Sequence, residues 1–206
     1  MRLALLAVPA LLSLGCTVGE GEGWVRSDNL FMENCWNGAW DLGPTFFAAN
    51  GSTQSKSLTL RVQNGDNLEE VSDGLVVVVN ALPSVRDDVG EPMVVGLPPG
   101  VSPPGVPVVF DEDPPKVSLA VYLHESCHAQ NSTVYSIAGT ITFESLYSGD
   151  PYEDQADERL TEARFDATFA DPRMLVGTDV PENAQSRVTG YFRFFYQRGQ
   201  PAQPFQ

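Results

Sequence analysis

The stretch Val188-Thr189-Gly190-Tyr191-Phe192-Arg193-Phe194-Phe195-Tyr196 sets Val188, Gly190, Phe192, Phe194 and Tyr196 at every second position, against Thr189, Tyr191, Arg193 and Phe195. A period of two sends alternate side chains to opposite faces of an extended backbone, so this is a strand with one face turned to a core. The same pattern recurs along the chain. Leu58, Leu60 and Val62 oppose Thr59 and Arg61; Val117, Leu119, Val121 and Leu123 oppose Ser118, Ala120 and Tyr122. Ile137, Gly139, Ile141 and Phe143 form a further run, and Ala163, Phe165, Ala167 and Phe169 oppose Arg164, Asp166 and Thr168. Residues 75–79 are apolar throughout, as in a central strand covered on both faces.

These runs are rich in β-branched and aromatic residues and are separated by turn formers such as Asn64-Gly65-Asp66 and Ser148-Gly149-Asp150. No long amphipathic helix is present; residues 153–164 have room for a helical turn or two. The expected fold is therefore all-β: a single antiparallel β-sandwich over residues 24–198, with a small lipocalin-like barrel as the alternative. The runs near 134–146, 159–170 and 187–197 predict a meander. Residues 92–115 hold eight of the 16 prolines, which predicts an extended surface excursion with at most a brief strand at 107–110. The Pro/Gln-rich tail 199–206 reads as irregular.

Composition narrows the function. The 206 residues carry 27 Asp+Glu against 12 Lys+Arg, a net charge of −15, with only Lys56 and Lys116 as lysines and the arginines scattered. Such a chain repels phosphate backbones, so no nucleic-acid partner is expected. At 42% hydrophobic it is too apolar to be a disordered acidic protein.

At the N-terminus, Arg2 precedes an apolar run over residues 3–14 that ends in Leu14-Gly15-Cys16. A run of twelve residues suits a signal peptide and is too short to span a bilayer. Leu14-Gly15-Cys16 resembles the lipobox of bacterial lipoproteins, although Ser13 stands where leucine is usual. The resemblance implies that residues 1–15 are removed as signal peptide and that Cys16 is lipidated, which makes membrane attachment stable. Thr17, in place of the aspartate that signals inner-membrane retention, implies the outer membrane. Residues 16–23, with alternating Gly and Glu, read as a flexible tether. The chain thus resembles the small acidic all-β lipoproteins of Gram-negative envelopes.

With Cys16 acylated, Cys35 and Cys127 remain as one pair in an oxidising compartment, and a disulfide between them is expected.

Three groupings carry possible chemistry. His124-Glu125-Ser126-Cys127-His128 contains both histidines of the chain and resembles the His-Glu-x-x-His motif of zincin metallopeptidases. That resemblance implies His124 and His128 as zinc ligands and Glu125 as general base, with Glu144, Glu153 or Glu158 as a third ligand. The motif needs a helix, whereas the residues before His124 alternate like a strand. Cys127 is also the disulfide candidate. We therefore read residues 123–131 as a strand end and turn, with no catalytic residue and no cofactor. Asp150, Glu153, Asp154, Asp157 and Glu158, with Asp111-Glu112-Asp113, form an acidic grouping that reads as a solvated loop rather than a Ca²⁺ site.

Trp24, Phe31, Trp36, Trp40, Phe46 and Phe47 read as core; exposed, they would stack on sugars or bury a lipid. Gly38-Ala39-Trp40 is similar to the Gly-x-Trp of lipocalins, which implies a barrel around an apolar ligand. The functional expectation is an outer-membrane-anchored lipoprotein whose body is a non-enzymatic binding or structural module. Its partners are the membrane, through the lipid, and an envelope protein, glycan or small ligand. A zinc peptidase and a lipocalin-like carrier are the alternatives.

Overall fold

The structure, a computed structural model, describes residues 21–52, 54, 56–102, 114–127, 132–175 and 180–197. The described residues form ten strands: β1 (Gly21–Met32), β2 (Trp36–Leu42), β3 (Phe46–Ser52), β4 (Ser57–Gln63), β5 (Asp73–Val79), β6 (Met93–Gly96), β7 (Val117–Leu123), β8 (Thr133–Ser145), β9 (Leu160–Ala170) and β10 (Gln185–Phe195). One short helix, α1 (Leu82–Asp87), begins with a proline in its first turn and buries Leu82 and Val85.

All ten strands belong to one sheet, in the order β2-β1-β10-β9-β8-β6-β7-β5-β4-β3, curled into a half-barrel. The fold is all-β, and its form corresponds to the barrel-like alternative; the expected sandwich of two separate sheets is not what forms. The reason lies at β6, β7 and β8. Hydrogen bonding passes without a break from β8 to β7 through residues 120–122 and 133–135, while the four-residue β6 is wedged between the same two strands at their other end. The two halves that a sandwich would separate are thereby fused. The β6–β7 pair is parallel and every other ladder is antiparallel.

Curvature brings the ends of the sheet over one another. Phe47 of β3 stacks on Phe194 of β10 with ring centroids 5.6 Å apart. Bulges in β1 between Ser27 and Leu30, and in β8 between Ser136 and Ala138, bend the long strands, as an extra residue on one side of a ladder does. The concave face carries the core. Leu58, Leu60 and Val62, then Leu75, Val77 and Val79, then Val117, Leu119, Val121 and Leu123 are fully buried in one cluster with Val25, Phe143 and Phe192.

The meander β8–β9–β10 forms as expected. The central strand β5 lies between β4 and β7. The helical turn expected within 153–164 is the short 3-10 segment Asp157–Arg159, after which β9 begins. β1 starts at Gly21, inside the stretch read as tether, because Gly21, Glu22 and Gly23 already pair with Phe194, Arg193 and Phe192. The strand expected at 107–110 and the tail 199–206 lie outside the described residues. Among the described residues no helix is long and apolar enough to cross a membrane.

Candidate ligand-binding groove

The segment that resembles a zincin motif follows β7 as a turn. Residues 124–126 leave the strand, and one i→i+4 bond closes the turn, the Cys127 N–H donating to the Leu123 carbonyl at 2.8 Å. Asp73, at the start of β5, holds this turn: its Oδ1 accepts the backbone N–H groups of Glu125 at 3.0 Å and Ser126 at 3.1 Å, and its Oδ2 accepts the Ser126 hydroxyl. Three donors converging on one carboxylate compensate its burial.

His124 Nδ1 lies 2.8 Å from the Glu69 carbonyl oxygen, which only accepts, so Nδ1 carries the proton. Nε2 meets the Thr133 hydroxyl at 3.3 Å. Glu125 is exposed. Glu144 sits near the far end of β8, eleven residues from Thr133, or roughly 36 Å of strand. It pairs there with Arg164, while Glu158 pairs with Arg86 of α1. His128 lies outside the described residues, and among those described no group of three His, Cys, Asp or Glu side chains converges as a metal site.

Cys127 is bridged to Cys35, with Cα atoms 5.6 Å apart. Cys35 lies in the tight turn between β1 and β2, so the disulfide ties the edge hairpin to the middle of the sheet. Near it, the fully buried Asp171, just after β9, accepts the Glu33 N–H of that hairpin at 2.9 Å and binds the Arg173 guanidinium. This partnership pushes the Arg173 pKa up from its ordinary value.

On the convex face, beside this turn, a polar chain links β4 to β7 across β5. Arg61 Nε donates to the Tyr122 phenol at 3.4 Å, and the Tyr122 hydroxyl donates to Gln63 Oε1 at 2.9 Å. Gln63 Nε2 donates to the carbonyls of Gly65 at 2.7 Å and Asn67 at 2.8 Å. All three side chains are buried. Tyr122 can lie across β5 because residue 74 is glycine; a Cβ there would overlap the phenol ring and its hydroxyl. Burial pushes the Tyr122 pKa up, against the lowering influence of Arg61. The chain pins residues 64–72 over the sheet and so sets Glu69 beside His124.

Next to this network the convex face is hollowed. One cavity of about 220 Å³ has Val76, Val78 and Ala120 for its floor and Tyr122 and Tyr135 for walls. A second, of about 520 Å³, shares Thr133 and Tyr135 with it and continues past His124 to Arg173 and residues 100–102. Together they make a groove with an apolar floor and a polar rim, the usual build of a small-molecule site. Burial, then the negative charge of Glu69, raises the Tyr135 pKa. Ser118, buried under this floor, has no hydrogen-bond partner for its hydroxyl among the described residues.

The groove uses residues that sequence reasoning passed over: Glu69, Ser118 and Tyr135. Ser118 and Tyr122 were visible as the outward positions of the β7 alternation, but nothing in the pattern said that this face would be covered. The other groupings stay apart from the groove. Asp150 and Glu153 accept the N–H groups of Tyr152 and Gln155 within their own loop. Trp40, Phe46 and Phe47 are core, whereas Trp24, Phe31 and Trp36 are half-buried, with Arg26 over the Trp24 ring. Cys16 and Asp111-Glu112-Asp113 lie outside the described residues. In comparisons with known proteins, no family matches the chain, nor does any curated protein or solved structure.

Proposed function

We propose that this protein is an outer-membrane-anchored lipoprotein, acylated at Cys16, whose half-barrel is a non-enzymatic binding module of the cell envelope. The observation that carries the binding role is the groove: an apolar floor with polar groups at its rim, on the convex face of a sheet whose concave face carries the core. A core on that face supports a ligand on the outside of the sheet rather than within it, unlike lipocalin-like carriage. A turn in place of a helix at 124–126, with His124 hydrogen-bonded through both ring nitrogens, supports a positioning role for that histidine rather than catalysis.

The anchor rests on Leu14-Gly15-Cys16. Because β1 begins at Gly21, five residue steps separate it from Cys16, a reach of at most about 18 Å. The start of β1 therefore lies close to the bilayer surface.

Two experiments test this reading. Cys16→Ser is expected to release the protein from membranes or to leave an uncleaved precursor; unchanged fractionation with normal processing overturns the anchor. Metal analysis of the purified protein is expected to find no stoichiometric zinc. Zinc at one equivalent that is lost in His128→Ala overturns the non-enzymatic reading in favour of a peptidase.

A further inference from the structure

One carboxylate lining the groove stands outside the ion pairs of the described residues. Glu69 lies in the 3-10 turn Glu69–Val71 and lines the groove beside the two tyrosine rings, yet no ion pair among the described residues includes it. Its negative charge acts on both Tyr122 and Tyr135. The arginines beside the groove have other partners. Arg61 is buried behind Tyr122 and donates to the Asn67 carbonyl at 2.9 Å, while Arg173 is held by Asp171 and Glu33.

At Tyr122 the charge of Arg61 opposes that of Glu69, whereas Tyr135 feels the charge of Glu69, in a chain whose net charge is −15. Beneath the carboxylate are Val76, Val78 and Ala120, all half-buried. A carboxylate outside the ion pairs, the half-buried Tyr135 ring and an apolar floor are the parts that recognise an organic cation: the ammonium meets the carboxylate and the Tyr135 ring, and its hydrocarbon covers the valines.

We propose, building on the reading of the groove as the binding site, that its ligand is an organic ammonium carried on a compact apolar body. The ammonium sits at Glu69 beside Tyr135, and the apolar body lies on Val76, Val78 and Ala120. An anion of the same shape meets repulsion from Glu69, and a neutral analogue gains only the floor.

Three probes of one shape and different charge decide the matter: 4-phenylbutylamine, 4-phenylbutanol and 4-phenylbutyrate, titrated into the full chain by calorimetry and amide chemical shifts. The amine is expected to bind about tenfold or more tighter than the alcohol, with the carboxylate weakest. Glu69→Gln is expected to bring the amine down to the level of the alcohol and to leave the alcohol unchanged. Ala120→Trp, which fills the floor, is expected to abolish both; if it does not fold, Val78→Arg on the same floor makes the same test. An alcohol that binds as well as the amine, or an amine indifferent to Glu69→Gln, overturns the cation. In that case, loss of binding in Ala120→Trp still upholds the groove. Failure of all three probes to bind overturns both.

Discussion

Ser136 shows how much one hydroxyl can carry. It lies at the fork where β6 ends and β7 turns to pair directly with β8, a place where the backbone ladder alone leaves groups without partners. Its Oγ accepts the Leu119 N–H at 2.9 Å and donates to the Gly96 carbonyl at 2.8 Å, so a single buried side chain stitches three strands. Removing it strands a donor and an acceptor in the core. Ser136→Ala is expected to destabilise the fold by about 1–3 kcal/mol, measured as a lower urea midpoint at unchanged slope. A cost within ~0.5 kcal/mol of zero would mean that water takes over both bonds. Ser136→Thr, which keeps the hydroxyl, separates loss of bonding from a change of volume.

Among the elements, β8 marks where the alternation was legible and where it stopped being so. The β7, β9 and β10 patterns bury the residues that their period-two alternation selects, and residues 75–79 are the central strand that their unbroken apolarity implied. In β8 the reading aligned Ile137 with Ile141 and Phe143. The structure instead buries Val134 and Ser136, then Ile141 and Phe143, and leaves Ile137 half-buried. The bulge between Ser136 and Ala138 shifts the parity, and no local signal announces a bulge except Gly139. That glycine has φ 112°, and a Cβ on it would run into the backbone of Asp166 and Ala167 on β9. Gly139→Ala is therefore expected to cost about 2–3 kcal/mol, with faster hydrogen exchange at β8–β9 amides. The groove was hidden for a related reason. Period two says which residues face away from the core, but not that residues 64–72 and 98–102 will border the outward face of β5 and β7. Tyr122 and Ser118 thus read as solvent-facing although both are buried.

At the scale of the molecule, two constraints act on the whole curl. The Cys35–Cys127 bridge closes 92 residues and joins the edge hairpin to the central strands. A loop of that length restricts the unfolded chain by about 4–5 kcal/mol in the chain-entropy account, so Cys35→Ser with Cys127→Ser should lower stability by a large part of that amount in a denaturant titration. The second constraint is protonation. Burial pushes the pKa of Tyr122 and Tyr147 well above the ordinary phenol value; for Tyr147 the neighbouring Tyr196, stacked at 4.3 Å, adds to the effect. In the unfolded chain both phenols ionise near pH 10, whereas the folded protein keeps its protons. Above that pH the folded state binds more protons than the unfolded one, so stability falls as pH rises, by roughly 1.4 kcal/mol per pH unit for each such tyrosine. Stability measured in urea should accordingly show no loss from these two groups up to about pH 10 and then decline steeply. Ionisation of the two buried phenols, followed by absorbance near 295 nm, should coincide with loss of the fold rather than precede it. Tyr122→Phe removes one titrating group and should make the alkaline decline shallower, even though losing the bond to Gln63 lowers stability at neutral pH. An unaltered slope in that variant would show that the Tyr122 phenol ionises within the folded sheet, where Arg61 could stabilise the phenolate.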